Sequence, residues 1–169
     1  MPKFVADSAE TTGLKWAAPA GGGKVLQVVQ ASTSTAVGFS TTTYQDTGLS
    51  GTITPTSASS KILVLCNQQV YILATSGGTA TGTVKLLRGS TTIYQPQSNS
   101  QAFGIANAPA GRYDLQLMYP ITYLDSPNTT SATTYKLQGA LLLTSGGNAL
   151  NFQQDNTGTS VITLIEIGA

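Results

Sequence analysis

The sequence predicts an all-β protein, most simply an antiparallel β-sandwich of the jelly-roll type that carries an extended N-terminal arm. Apolar and polar residues alternate along several segments, which is the period of a β-strand. Clusters of Gly, Ser, Thr, Asn and Pro separate these segments, and no segment has a sustained helical period with caps. About eight to ten short strands with polar loops are typical of a sandwich or barrel.

The first 23 residues differ from the rest and are predicted to form the arm and a Gly-rich linker, with the sandwich domain at residues 24–169. Pro19 and the three glycines that end this stretch interrupt any regular element. We expect the arm to complete its folding on a neighbouring protein; a frayed tail without a role is the alternative. The residues expected to anchor it are Phe4, Val5, Leu14 and Trp16.

Three strands are predicted in the first half of the domain. Lys24 to Ala31 is rich in β-branched residues, and Thr43 to Thr54 surrounds a break at Gly48. Lys61 to Leu73 is apolar on both faces, which favours a central strand covered on both sides. Within it, Asn67 to Gln69 marks a bulge or a polar patch.

The second half begins with a hairpin, in which Thr83 to Arg88 and Thr91 to Gln95 flank Gly89 and Ser90. Arg112 to Leu124 then has the cleanest alternation, and Pro120 within it indicates an edge strand or a bulge. Two final strands are predicted at Thr133 to Leu143 and Thr159 to Ile167.

An oligomer is predicted from the apolar character of both faces of several strands, because one small sandwich supplies one core. Amphipathic aromatic residues are enriched at surfaces that are dry on one side and wet on the other. The alternative is that loops cover the second face. The candidate subunit-interface residues are Tyr113, Tyr119, Tyr123 and Glu166.

Composition excludes several function classes. Charged residues make up 9% of the chain, with Lys+Arg 8 against Asp+Glu 7, so no basic footprint for nucleic acid or anionic membrane is expected. His is absent and Cys occurs once, which excludes an internal disulfide, the usual zinc sites and His-based catalysis. The short apolar runs and the lack of a secretory signal predict a protein made in a cytoplasm without membrane insertion.

We expect no enzyme, no catalytic residue, no cofactor and no metal. The chain has seven carboxylates, but no persuasive pair of the kind that a glycosidase needs. Glu166 lies between Ile165 and Ile167 and is expected to be a lone buried or interface carboxylate, paired with Lys136 or Arg112.

The polar loop from Asp125 to Thr130 is a candidate receptor-binding loop. Its residues Asp125, Asn128 and Thr130 could contact a host surface glycan through hydroxyl-directed hydrogen bonds. Turn formation explains the same Asp and Asn without any ligand, and these residue types also make a soluble surface with few charges.

Several segments resemble structural proteins of tailed bacteriophages. The opening from Phe4 to Trp16 resembles a segment that precedes the C-terminal β module of fibre-like proteins. Tyr44 to Leu49, Tyr123 to Pro127 and the ending Ile162 to Ile167 resemble parts of that module. Together these motifs cover nearly the whole chain, although each is short.

The resemblance implies a virion surface protein that is made in the host cytoplasm and forms a jelly-roll-like homotrimer without a catalytic residue. In fibre-like relatives the module ends a longer protein, whereas here Met1 stands just before the segment. We therefore expect a capsid decoration or cement protein, which its own arm anchors to capsid or tail proteins. A tail-fibre or receptor-binding tip is the alternative.

Overall fold

The structure is a computed structural model that describes residues 3–6, 14–17, 23–75, 77–96, 102–145 and 148–168. Side chains are described from residue 23 onwards, apart from those of residues 143, 144 and 148. Regular structure in these ranges consists of strands and one short 3₁₀ turn, Gln154–Asn156, so the all-β prediction is confirmed. None of the described residues belongs to a helix long and apolar enough to cross a membrane.

The strands alternate with polar loops much as the sequence predicts, and the described residues add short segments that it does not. In chain order they are β1 (Lys3–Ala6), β2 (Leu14–Ala17), β3 (Val25–Thr33), β4 (Val37–Phe39), β5 (Gln45–Ile53), β6 (Lys61–Thr75), β7 (Thr79–Arg88), β8 (Thr91–Tyr94), β9 (Phe103–Ile105), β10 (Arg112–Asp125), β11 (Thr133–Ser145), β12 (Asn148–Phe152) and β13 (Ser160–Ile167).

Two antiparallel sheets form the domain. In sheet 1, β6 pairs with β10 along one edge and with β13 and then β12 along the other, and β3 and β4 lie beyond β13 and β12. In sheet 2, β11 lies between β5 and β7, and the far edge of β7 pairs with β8 and then β9. Segments that follow one another along a shared edge act as one interrupted strand, which makes each sheet four strands wide.

The strand order identifies the sandwich as a jelly roll. Here β3 and β4, β8 and β9, and β12 and β13 are each counted as one strand. The chain then crosses from one sheet to the other at every connection between strands except the one from β7 to β8. The first strand of the domain, β3, also pairs with the last, β13. Two four-stranded sheets with these crossings are the double Greek key of the jelly roll, so the predicted fold is confirmed.

The central strand β6 divides its residues cleanly between two faces. Its even-numbered side chains, such as Ile62, Val64 and Ile72, are fully buried between the sheets. Its odd-numbered side chains are mostly half-buried on the outer face, so the single chain covers one face fully and the other in part. Asn67 to Gln69 forms a polar patch without a bulge, since the register with β10 runs through it unbroken.

Pro120 confirms its strand as an edge. It lies opposite Asn67 in the middle of β10, where it cannot donate a backbone hydrogen bond. Because β10 stays paired with β6 on both sides of Pro120, the backbone position that lacks an N–H faces the free edge of β10. There it hinders pairing with another strand.

The core fills the space between the sheets with aliphatic side chains and a pair of phenylalanines. Phe39 and Phe152 meet edge to face at 4.8 Å between ring centroids. A Cβ atom at Gly139 would lie 2.5 Å from the Phe152 ring, so the glycine in β11 is what admits this ring. The fully buried side chains include Leu49, Ile53, Leu86, Leu137, Leu150, Ile162 and Leu164.

The predicted arm contains a two-stranded antiparallel sheet of its own, formed by β1 and β2. The register places Phe4 opposite Trp16 and Ala6 opposite Leu14, whereas Val5 is opposite Lys15. The side chains of the anchoring residues predicted from the sequence lie outside the described ones. Their role in anchoring therefore stays a prediction.

Candidate functional site

The tyrosine face that was expected at a subunit interface turns inward. Tyr119 packs against Phe103 and Tyr123 against Tyr94, each with ring centroids 5.6 Å apart. Because sheet 2 ends in the short strands β8 and β9 beneath β10, large rings are needed to fill the gap. Tyr119 and Tyr123 are half-buried, and Tyr113, at the start of β10, is 38% exposed. The role of these three residues in a subunit interface stays a prediction.

Glu166 is fully buried inside the single chain, which agrees with the buried alternative of its prediction and not with the interface one. Its carboxylate accepts hydrogen bonds from Gln27 Nε2 at 2.6 Å and from the backbone N–H and hydroxyl of Thr56, both at 2.7 Å. The carboxylate thus joins β13 to β3 and to the loop between β5 and β6.

The cations that the sequence suggested as partners of Glu166 are engaged elsewhere. Lys136 pairs with Asp46 at 2.9 Å, and Arg112 pairs with Asp114 at 2.9 Å. Burial alone would raise the pKa of Glu166, but the hydrogen bonds from Gln27 and Thr56 favour the charged form and lower the pKa to about 2. Glu166 is therefore a buried carboxylate stabilised by neutral donors.

Asp125 is a structural anchor rather than an exposed ligand of the candidate receptor loop. It is 6% exposed, and Arg88 Nη1 donates to both of its oxygens at 3.0 and 2.9 Å. The hydroxyl of Tyr135, which is fully buried, donates to the same carboxylate at 2.7 Å. Burial and the carboxylate both raise the pKa of Tyr135. The prediction that Asp125 contacts a receptor is therefore wrong.

The other two residues of that loop are exposed. Asn128 has φ 53°, a left-handed conformation that Asn tolerates better than most residues. Asn128 and Thr130 both face solvent between β10 and β11, while Arg88 and Asp125 hold the start of the loop. The structure thus retains Asn128 and Thr130 as a presented polar surface.

Sequence reasoning missed a buried polar cluster at the break between β12 and β13. The hydroxyl of Thr47 donates to Gln68 Oε1 at 2.9 Å, and Gln68 Nε2 donates to Ser160 Oγ at 2.8 Å. Ser160 Oγ also accepts the backbone N–H of Gln69 at 2.9 Å. The signal was present, because Gln68 and Thr47 each occupy an inward position in an otherwise apolar face.

The described carboxylates and the one thiol have structural partners or are buried. Burial raises the pKa of the Cys66 thiol to about 12, which keeps it protonated and unreactive at neutral pH. Asp155, on the loop before β13, accepts a hydrogen bond from Gln154 at 2.7 Å. Within the described part of the chain, no group of three or more His, Cys, Asp or Glu residues is placed to hold a metal ion.

The most prominent surface feature is an apolar row on the outer face of sheet 1. The register aligns Val28 of β3, Ile165 of β13, Leu63 of β6 and Leu124 of β10 across all four strands. Opposite positions of antiparallel neighbours share one face, so these four side chains lie side by side. Val28 is 58% exposed and Leu124 is 49% exposed, which leaves both ends of the row open to solvent.

Glu166 provides a test of the internal anchor. Because its pKa in the folded chain lies below the unfolded value of about 4.5, its stabilising effect is complete above that value. The effect is lost as the pH falls towards 2. Replacing the carboxylate by an amide turns one acceptor into a donor that faces Thr56. Glu166→Gln should therefore lower the free energy of unfolding by about 3 kcal/mol at pH 7.

Chemical denaturation of both proteins between pH 7 and pH 2 measures this effect, and their difference should shrink as the pH falls. Asp114→Asn is the matched control, since an exposed ion pair such as the one with Arg112 contributes little to stability. A Glu166→Gln protein as stable as the control at pH 7 would contradict the anchor.

Comparison with known proteins gives structural neighbours only. No protein-family model matches the chain, and no curated protein matches it. A structure of infectious bursal disease virus strain Gx matches with TM-score 0.40 and 12% identity, over 98% of this chain and 42% of that one.

Two further structures from the same virus match with similar TM-scores, identities and coverages. Its derived T=1 particles match with TM-score 0.39 and 11% identity over 98% of this chain and 41% of that one. Its VP2 subviral particle matches with TM-score 0.39 and 12% identity over 99% and 42%. The chain thus spans less than half the length of these neighbours. They are not tailed-phage proteins, and the resemblance to tailed-phage proteins stays a prediction.

Proposed function

We propose that this chain is a non-enzymatic structural protein of a virus particle, a capsid decoration or cement subunit of a tailed bacteriophage that acts as a homotrimer on the virion surface. The observation that carries the proposal is an eight-stranded jelly roll with a separate N-terminal hairpin outside both of its sheets. The hairpin is the segment that anchors the subunit to its neighbours in the particle.

The jelly-roll fold is compatible with a limited set of functions but does not by itself identify one. Viral capsid proteins, lectins and cupins all use this architecture, and a fold alone does not define a function. Cupin-type chemistry draws on metal-binding histidines, and this chain has none. The described charged groups in the interior, Glu166 and Asp125, hold elements of the fold together. This pattern supports a structural role.

The arm supports attachment to a neighbour. A two-stranded sheet is marginally stable in water unless an apolar face is covered. By register, Phe4, Ala6, Leu14 and Trp16 occupy one face of the β1–β2 hairpin, and Lys3 and Lys15 occupy the other, together with Val5 and Ala17. An amphipathic hairpin of this kind gains most of its stability from the surface on which it packs.

A receptor-binding tip is the second candidate, favoured by the loop between β10 and β11. The ion pair of Arg88 and Asp125 and the hydroxyl of Tyr135 hold its base. Its exposed residues Asn128 and Thr130 are then presented from a rigid support, which suits recognition of a host surface glycan.

The arm is tested by incorporation into particles. Phe4→Ser with Trp16→Ser removes the two largest residues of the apolar hairpin face, and the domain from residue 23 onwards keeps both sheets. We expect this protein to fold with an unchanged circular dichroism spectrum but to be lost from purified particles. Lys3→Ser with Lys15→Ser, on the opposite hairpin face, is the control and should be incorporated normally. Incorporation of the first variant at the wild-type level would contradict anchoring by the arm.

The receptor loop is tested by host adsorption. Asn128→Gly removes the side chain but tolerates the left-handed backbone, and Thr130→Ala removes the hydroxyl. If the loop binds the receptor, particles with both changes should retain their copy number and lose most of their adsorption to host cells. Adsorption equal to that of particles carrying Ser50→Ala, an exposed change on sheet 2, would reject the second candidate.

A further inference from the structure

Among the described residues, those at both ends of the apolar row on the outer face of sheet 1 are exposed. Beside Val28, the side chains of Val25 and Leu26 at the start of β3 are 55% and 41% exposed. At the other end of the row, Leu124 on β10 is 49% exposed. Contiguous exposed apolar residues of this kind mark interaction sites. The surface is defined here as the row Val28, Ile165, Leu63 and Leu124.

The β1–β2 hairpin has the complementary requirement. Its face with Phe4, Leu14 and Trp16 needs an apolar partner to be stable. Strands of four residues measure about 10 Å from first to last Cα atom, and a row across four strands is about 14 Å wide. The hairpin and the row therefore match in size as well as in chemistry.

The direction of the chain before β3 favours a different copy as the partner. Gly23 donates its N–H to Gly168 O at 3.0 Å, and Gly168 donates to Lys24 O at 2.8 Å. These bonds continue the ladder of β3 and β13 past the end of the sheet. At Gly23 and Lys24 the chain thus runs along the strand axis and not across the outer face. The eight peptide links from Ala17 to Val25 span at most about 28 Å, which is enough to reach an adjacent subunit.

We infer that the β1–β2 hairpin of one copy packs on the apolar row of a second copy, so that subunits assemble by exchanging their arms. This inference rests on the proposed function only in taking the arm as the attachment segment, and it names the neighbour as another copy of this chain. Each subunit gives one hairpin and receives one. A repeated head-to-tail contact of this kind forms a ring where its rotation closes and an open filament where it does not.

The only Trp of the chain, Trp16, lies in the hairpin, so its fluorescence reports docking directly. Acrylamide quenching and sedimentation velocity on the purified full chain, over a dilution series, measure docking and assembly together. We expect a quencher-protected Trp16 in an oligomer at high concentration. Protection and the oligomer should be lost together on dilution.

Val28→Lys with Leu124→Lys places two charges at the ends of the row and should weaken association at least about tenfold, because a charge is costly to bury in an apolar contact. Ser50→Lys with Thr92→Lys adds the same charge at exposed positions of sheet 2 and should behave as wild type. All four positions are exposed, so we expect unchanged melting curves.

Three results would overturn the inference. Trp16 could be protected in a monomer at every concentration, which means docking on its own chain. It could be accessible at every concentration, which means that no copy receives it. Its protection could also be unaffected by the row variant, which means that another surface binds it.

Particle incorporation of the same proteins separates this inference from the proposed function. A row variant that is monomeric with an accessible Trp16 but enters particles normally leaves the proposed function in place and rejects arm exchange. An oligomer that forms as described but is absent from particles leaves arm exchange in place and rejects the proposed function.

Discussion

The strict alternation of β6 is the constraint on which the rest of the structure depends. Its even-numbered side chains enter the core, and a slip of one residue would turn that whole set outwards. β10 pairs with β6 along nearly its whole length, while β13 and β12 divide the opposite edge between them. Because the polar residues from Asn67 to Gln69 lie where the neighbour changes from β13 to β12, β6 also determines where sheet 1 is interrupted.

Buried polar groups fix the relative positions of strands and loops that apolar packing alone does not determine. Glu166 fixes β13 to β3 and to the loop before β6, and Asp125 fixes the loop after β10 to β7 through Arg88. Each such group costs free energy if it is left unpaired, so it specifies one arrangement of its partners.

The sequence predicts much of this fold and little of the candidate site. Long alternating strands such as β6 and β10 are visible because their period is intrinsic, whereas β4, β9 and β12 are short and owe their conformation to the ladders beside them. Alternation separates two faces but does not say which one is buried, so it does not predict that the tyrosines of β10 lie on the face towards the core. Likewise the partners of Glu166 come from β3 and a loop, distant in sequence, and could not be inferred from its neighbours Ile165 and Ile167.

The central claim is that the chain is a repeated structural subunit of a particle, with its jelly roll as the body and its hairpin as the attachment. Quantitative mass spectrometry of purified particles tests it most directly, as the number of copies relative to the major shell protein. The account predicts a ratio at or near parity, or a simple fraction of it, since a cement subunit follows the symmetry of the shell. A few copies per particle would indicate a tail component, and absence from the particle would contradict the account.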